Sequence, residues 1–207
     1  MCSYFEAELK KWGTLAETFL KSAKFQASRI ARGGNPNFVV SDTPLSEDEY
    51  DEKTEANDRN LAVPTLYSFF HGLELLLKGA LSANSVLVKK NHDLEKLFNT
   101  FKETFPNENA IIDLFSQALD VKAMDGNNPV RKFCERNKLT PARFYEALRY
   151  PEDRGGQAFI HGDLKYNEAD GAVFFQNVVT IVDDIMPLFV ALSRPATAST
   201  TDYGCPC

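Results

Sequence analysis

The chain has 207 residues, 43% of them hydrophobic and 25% charged, with a formal net charge of −6. These values suit one globular domain with a real core and exclude a generic nucleic-acid coat, which needs a basic surface, though not a local basic patch. Sixteen Phe residues make that core aromatic.

Helical periodicity dominates from the start. Phe5, Leu9, Trp12, Ala16, Phe19, Ala23 and Ile30 recur mostly three or four residues apart, so they form one stripe of a long amphipathic helix. Gly33-Gly34-Asn35-Pro36 ends it. Residues 41–58 follow as an acidic stretch, with eight acidic residues against the single Lys53. The expectation there is a solvated, mobile connection with a helical end.

A second helix is expected from about Pro64 to Leu81. Leu66, Phe69, Phe70, Leu73, Leu76, Leu77, Ala80 and Leu81 give it a broad apolar face, which suits the centre of a bundle. His71, Glu74 and Lys78 share one face of this helix and read as a polar seam with a Glu74–Lys78 pair. A bundle di-metal site needs a second His-x-x-Glu motif and further carboxylates, which are not seen, so no metal is expected. Asn91-His92-Asp93 offers a cap to a short helix through Leu94, Leu97, Phe98 and Phe101, stopped by Pro106. Ala110 to Leu119 marks the next helix, closed by Asp125-Gly126-Asn127-Asn128-Pro129.

Residues 129–149 read as one or two short helices, the second opened by Thr140-Pro141. This segment is locally basic: Arg131, Lys132, Arg136, Lys138, Arg143 and Arg149 face only Glu135 and Glu146. Tyr150-Pro151 breaks it, and residues 152–166, with Gly155, Gly156 and Gly162, read as an irregular loop or short hairpin. The last helix carries Val173, Phe174, Val178, Ile181, Val182, Ile185, Leu188, Phe189 and Leu192, with Pro187 inside it. The expected fold is an all-α, up-and-down bundle of four to six helices over residues 1–193, with a disordered tail over 194–207.

The apolar run from Val173 to Leu192 is interrupted by Gln176, Asn177, Asp183 and Asp184, so no bilayer span is expected. With Glu6 and Glu8 near the start in place of a signal-peptide core, the expected location is cytoplasmic. Cys2, Cys134, Cys205 and Cys207 do not make a disulfide framework, and Cys205-Pro206-Cys207 is read as frayed terminal thiols. No phosphate-cradling loop, nucleophile elbow or dinucleotide fingerprint is present, and no cofactor is expected.

Two stretches resemble the HEPN family of helical-bundle proteins. The first is Phe70-His71-Gly72-Leu73-Glu74-Leu75-Leu76-Leu77-Lys78-Gly79-Ala80-Leu81, followed by His92-Asp93-Leu94-Glu95-Lys96-Leu97. The second is Leu148-Arg149-Tyr150-Pro151-Glu152-Asp153. The resemblance covers roughly residues 61–192 and implies a bundle that forms a homodimer and works beside RNA or a partner protein, in toxin–antitoxin or defence systems. Catalytic members cleave RNA without a metal, using an Arg followed at a short interval by a His near the start of the last helix. In this chain the fitting pair is Arg154 and His161, six residues intervening, set among glycines where helix signals are absent. A His moves a proton from a ribose hydroxyl and an Arg stabilises phosphate charge in such a reaction.

The favoured expectation is therefore a dimeric binding or regulatory module. Glu74, Lys78, His92, Arg149 and Tyr150 are its candidate binding residues, with Tyr150 available to stack on a base. The alternatives are a metal-independent endoribonuclease using Arg154 and His161, and a structural interaction bundle with no nucleic-acid role.

Overall fold

A computed structural model describes residues 2–86, 92–122 and 124–192. Among the described residues it holds eight α-helices and no strand. They are α1 (Cys2–Arg32), α2 (Glu47–Thr54), α3 (Asp58–Ala83), α4 (Leu94–Thr104), α5 (Asn109–Leu119), α6 (Pro129–Arg136), α7 (Pro141–Ala147) and α8 (Glu168–Leu192). The all-α bundle read from the sequence is therefore what the chain forms. The tail expected to be disordered lies outside the described residues.

α3 is the central helix, and α1 packs along it more extensively than any other element. Ala16, Leu20, Ala23, Ala27 and Ile30 alternate at three- and four-residue steps and are all fully buried, so α1 presents a narrow stripe of mostly small side chains. Two glycines on α3 let it come close. A Cβ on Gly72 would meet Leu20 Cγ at 2.5 Å, and one on Gly79 would meet Trp12 Cβ at 2.8 Å. The two are seven residues apart, which places them two turns apart on one face.

α3 begins earlier than the sequence suggests. Pro64 reads as a helix start, yet six residues precede it in the helix, with Asn57 as the cap accepting from Asn60 N. The acidic segment also differs from its expectation. Ser46 and Glu49 form a reciprocal capping box that nucleates α2, and an Arg29–Glu55 ion pair joins that segment to α1. Thr54, Asn57 and Asp58 are buried, so the end of this stretch is not a solvated connection.

Asp58 shows why. Its fully buried carboxylate accepts from Tyr166 N (2.8 Å) and Asn167 N (2.7 Å), and from Asn167 Nδ2 (3.3 Å). Asn35, buried just past the end of α1 with φ of 56°, accepts from Asp58 N through Oδ1 and donates to Glu168 O through Nδ2. Three chain segments, the end of α1 and the starts of α3 and α8, are thus stitched through two side chains.

The remaining helices form a side layer around rings. Phe98 and Phe101 of α4 meet Phe115 of α5, which meets Phe189 of α8. Phe70 of α3 meets Phe144 of α7, which meets Phe133 of α6. Residues 129–149 form two helices. The segment after them carries a single antiparallel bridge, Glu152 with Ala158, and a 3-10 turn over His161–Leu164. Cys134 is a free buried thiol whose pKa burial pushes up to about 12, so it is a core residue with little thiolate character. α8 is long and apolar enough, by length and composition, to cross a bilayer, and a third of its most apolar window is buried against the bundle.

Candidate functional site

Glu74 sits in the middle of α3, where the helix is buried on nearly all sides, and its carboxylate is 1% exposed. A buried charge is tolerated only with partners, and Glu74 has several. Lys78, one turn on and itself buried, places Nζ 2.5 Å from Oε1. His92, at the entry to α4, places Nδ1 2.9 Å from Oε1 and 3.1 Å from Oε2. His71, one turn back, has Nδ1 3.5 Å from Oε2. Burial alone pushes the carboxyl up, but the hydrogen bonds from His71, Lys78 and His92 outweigh it and hold the pKa at about 2. Glu74 is therefore a fixed negative charge at the end of a short polar network.

The network continues into α7. The Tyr145 hydroxyl is 2.5 Å from His71 Nδ1. Tyr67, His71 and Tyr145 lie nearly parallel, with ring centroids 5.7–6.1 Å apart, and Phe19 closes one side edge-on to His71 at 4.4 Å. Burial and the nearby Glu74 charge raise the Tyr145 pKa, so the phenol keeps its proton.

The cluster reaches the surface at two places. The His92 side chain is about half exposed and its ring centre is 6.0 Å from that of Tyr145. Because Nδ1 faces a carboxylate, which only accepts, Nδ1 carries a proton and Nε2 is the ring nitrogen left for a ligand. On the other side Arg149 places its guanidinium carbon 5.6 Å from the Tyr145 ring and 5.4 Å from the Tyr150 ring, and Tyr150 is half exposed. The cation is thus shared between two aromatic faces.

The sequence-derived binding residues fall into this one region: Glu74, Lys78 and His92 in the hub, Arg149 and Tyr150 at its rim. In the sequence His92 reads as part of a helix cap. Asp93 is the cap, accepting from Lys96 N at 3.0 Å, and this fixes the backbone that points His92 back at α3. Tyr145 and Tyr67 stand outside the motifs that the sequence offers. The four-residue spacings of Tyr145 to Arg149 and of Tyr67 to His71 are the sequence signals that point to them.

Arg154 and His161 take partners on α7 other than the hub residues. His161 donates from Nε2 to the Ala147 carbonyl at 2.8 Å, with its ring against Phe133 at 5.3 Å. Arg154 has its side chain 91% exposed, with Nε 3.5 Å from Glu146. Both approach the end of α7, one as a packed loop anchor and the other in solvent. Among the described residues no group of three or more His, Cys, Asp or Glu side chains is arranged to hold a metal.

These features define an all-α bundle in which a buried ionic hub opens onto a cationic–aromatic rim. Comparison with known protein families, with curated proteins and with solved structures finds no match to this chain.

Proposed function

We propose that the chain is an RNA-associated binding module of HEPN-like type, with its working surface at the exposed Arg149 and Tyr150 beside the buried Tyr145 ring. The observation that carries this reading is the Arg149 guanidinium seated between the Tyr145 and Tyr150 rings. An exposed cation beside an exposed ring is what an unpaired nucleotide needs: the guanidinium meets phosphate, and the ring face accepts a base with little regard to its identity. The locally basic segment around Arg131 to Arg149 supports the same reading on an otherwise acidic chain. A homodimer through the last helix or its neighbours belongs to the proposal, with Val173 (63% exposed) and Val190 (50% exposed), on different sides of α8, as apolar contacts available to it; sedimentation showing only monomer at micromolar concentration would remove that part.

The test is fluorescence anisotropy with a single-stranded RNA. Arg149→Ala and Tyr150→Ala are each expected to weaken binding by about tenfold, in line with a stacking or charge-assisted contact of roughly 1–3 kcal/mol. Wild-type binding that neither substitution weakens would place the RNA elsewhere. The endoribonuclease reading gains no support from the arrangement of Arg154 and His161, whose imidazole Nε2 is already committed to a backbone carbonyl.

A further inference from the structure

We propose that a cleft walled by α3, α8 and the connection between α5 and α6 is a binding site for a small aromatic amine. The ring of the ligand lies on the apolar floor, and its ammonium group meets the carboxylates of Asp120 and Asp125 at the mouth. These residues are distinct from the Arg149–Tyr150 surface, and the proposal does not depend on it.

The cleft has a volume of about 520 Å³, inside the range of roughly 300–1,000 Å³ that small-molecule sites occupy. Its floor belongs to the core. Leu66, Phe69 and Phe70 of α3 and Val178 of α8 line it, and each is at most 3% exposed, so bundle packing fixes their positions. Phe174, Val178 and Ile181 recur at four- and three-residue steps, so α8 lays one apolar row along the cleft. Rings from two helices therefore face the space, and an aromatic body gains edge and face contacts there beyond its apolar area. The mouth is built by the connection between α5 and α6, anchored at both ends. Asp120 N donates to Ser116 O at 2.9 Å, and Asn128 Oδ1 accepts from Val130 N at 2.9 Å and Arg131 N at 3.3 Å.

The charge of the lining selects the head group. Among the described residues that line this cleft, the ionisable ones are Asp120 and Asp125, and none is Lys, Arg or His. The basic residues nearest in sequence, Lys122 and Arg131, line a neighbouring cleft against α4. Arg131 is engaged there, donating from Nη1 to Met124 O at 2.7 Å and from Nε to Glu135 at 2.9 Å. Asp125 Oδ1 accepts from Asn127 N at 2.8 Å, which orients the carboxylate and leaves Oδ2 for a donor on the ligand. A carboxylate ligand would meet two like charges at this mouth, and a neutral one would gain nothing from them. Both aspartates are exposed to water, so the gain for a cation is a few-fold rather than many orders of magnitude.

The experiment titrates the whole isotope-labelled chain with tryptamine, tryptophol and indole-3-propionate. The three share one ring and a two-carbon arm and differ in head-group charge. NMR follows the resonances of Met124, Phe174 and Ile181. All three resonances are expected to shift with tryptamine, which should bind about three- to fivefold tighter than tryptophol and about tenfold tighter than indole-3-propionate. Asp125→Asn is expected to bring tryptamine down toward the affinity of tryptophol and to leave tryptophol unchanged. Asn177→Trp, at an exposed position on the cleft wall, should fill the mouth and weaken every ligand at least about tenfold, with thermal melting confirming that the variant is folded. Equal affinity for the three head groups would overturn the proposal, as would a tryptamine preference that survives Asp125→Asn. No shift at millimolar tryptamine, or shifts that persist in Asn177→Trp, would overturn the site itself. Phe174 and Ile181 resonances that move with protein concentration and not with amine would assign the cleft to a second copy of the chain, and so would also remove the ligand.

Discussion

Asp58 and Glu74 are two acidic residues of the same helix, buried to 0% and 1% exposure, yet the chain uses them in opposite ways. They lie sixteen residues apart, about 24 Å along α3. Asp58 accepts mainly from backbone amides, Tyr166 N and Asn167 N, that would otherwise be unsatisfied where α8 begins. Its partners are fixed, neutral and internal. Glu74 accepts from side chains, Lys78 and two imidazoles, one of which reaches the surface. Backbone partners make a carboxylate a fastener. Ionisable side-chain partners make it a source of charge and orientation for a surface group.

The largest expected effect comes from breaking the Glu74 hub. Glu74→Leu leaves Lys78 buried without its counter-charge, and should cost about 3–5 kcal/mol in chemical denaturation. Glu74→Leu combined with Lys78→Met should recover most of that loss, because a buried ion pair is replaced by packed apolar volume. A single substitution costing less than about 1 kcal/mol would mean the hub is wetter than its burial implies. The same contrast has a pH signature. The folded Glu74 pKa, about 2, lies below its ordinary 4.5, so the stabilisation is complete above that ordinary value and is lost as pH falls toward 2. Acid destabilisation between those limits should be shallower in the double variant than in wild type.

The Asp58 fastener comes next. Asp58→Ala leaves the part-buried Tyr166 and Asn167 amides without their acceptor, at about 1–2 kcal/mol for each, the lower part of the range for an unsatisfied group, so a total of about 2–4 kcal/mol is expected. Asp58→Asn keeps one acceptor oxygen and should lose less. Neither change is expected to move the His92 ring resonances. A shift at His92 in Asp58→Asn would show that the two ends of α3 are coupled and would break the comparison.

These two residues are unequally legible in the sequence. Glu74, Lys78 and His71 are neighbours at three- and four-residue spacing on one strongly periodic helix, so their shared face is readable without knowing the fold. His92 was visible only through the cap beside it. Tyr145 lies 71 residues beyond Glu74 and joins the hub through packing of α7, which no local pattern encodes. In the sequence Asp58 is one more charge in an acidic, solvated run. Composition assigns an aspartate to water; it does not register that two amides more than a hundred residues later need an acceptor. Pro64 misled for a related reason: a proline suits a first turn, but α3 tolerates it further in because Asn57 caps the helix upstream and tertiary contacts hold the first turns.

The smallest expected effect sharpens the comparison from outside, at the residue pair that a sequence motif singles out. Arg154 has its side chain 91% exposed, and its one described ion pair is a 3.5 Å approach to Glu146. Exposed pairs of that kind contribute little, so Arg154→Ala should change stability by no more than about 0.5 kcal/mol. RNA affinity should change less than about threefold, well below the Arg149→Ala effect. His161→Ala should behave differently. It removes the hydrogen bond to the Ala147 carbonyl and the packing against Phe133, so about 1–2 kcal/mol of stability should go with it. A structural His and a solvated Arg thus predict unequal losses of stability and no shared loss of function. A catalytic pair predicts the reverse: both variants fold normally and both lose the same reaction. Measuring chelator-resistant RNA cleavage alongside denaturation for the two substitutions separates these outcomes. Cleavage by wild type that disappears in both variants at unchanged stability would move the working site from the Glu74 hub to the loop after α7.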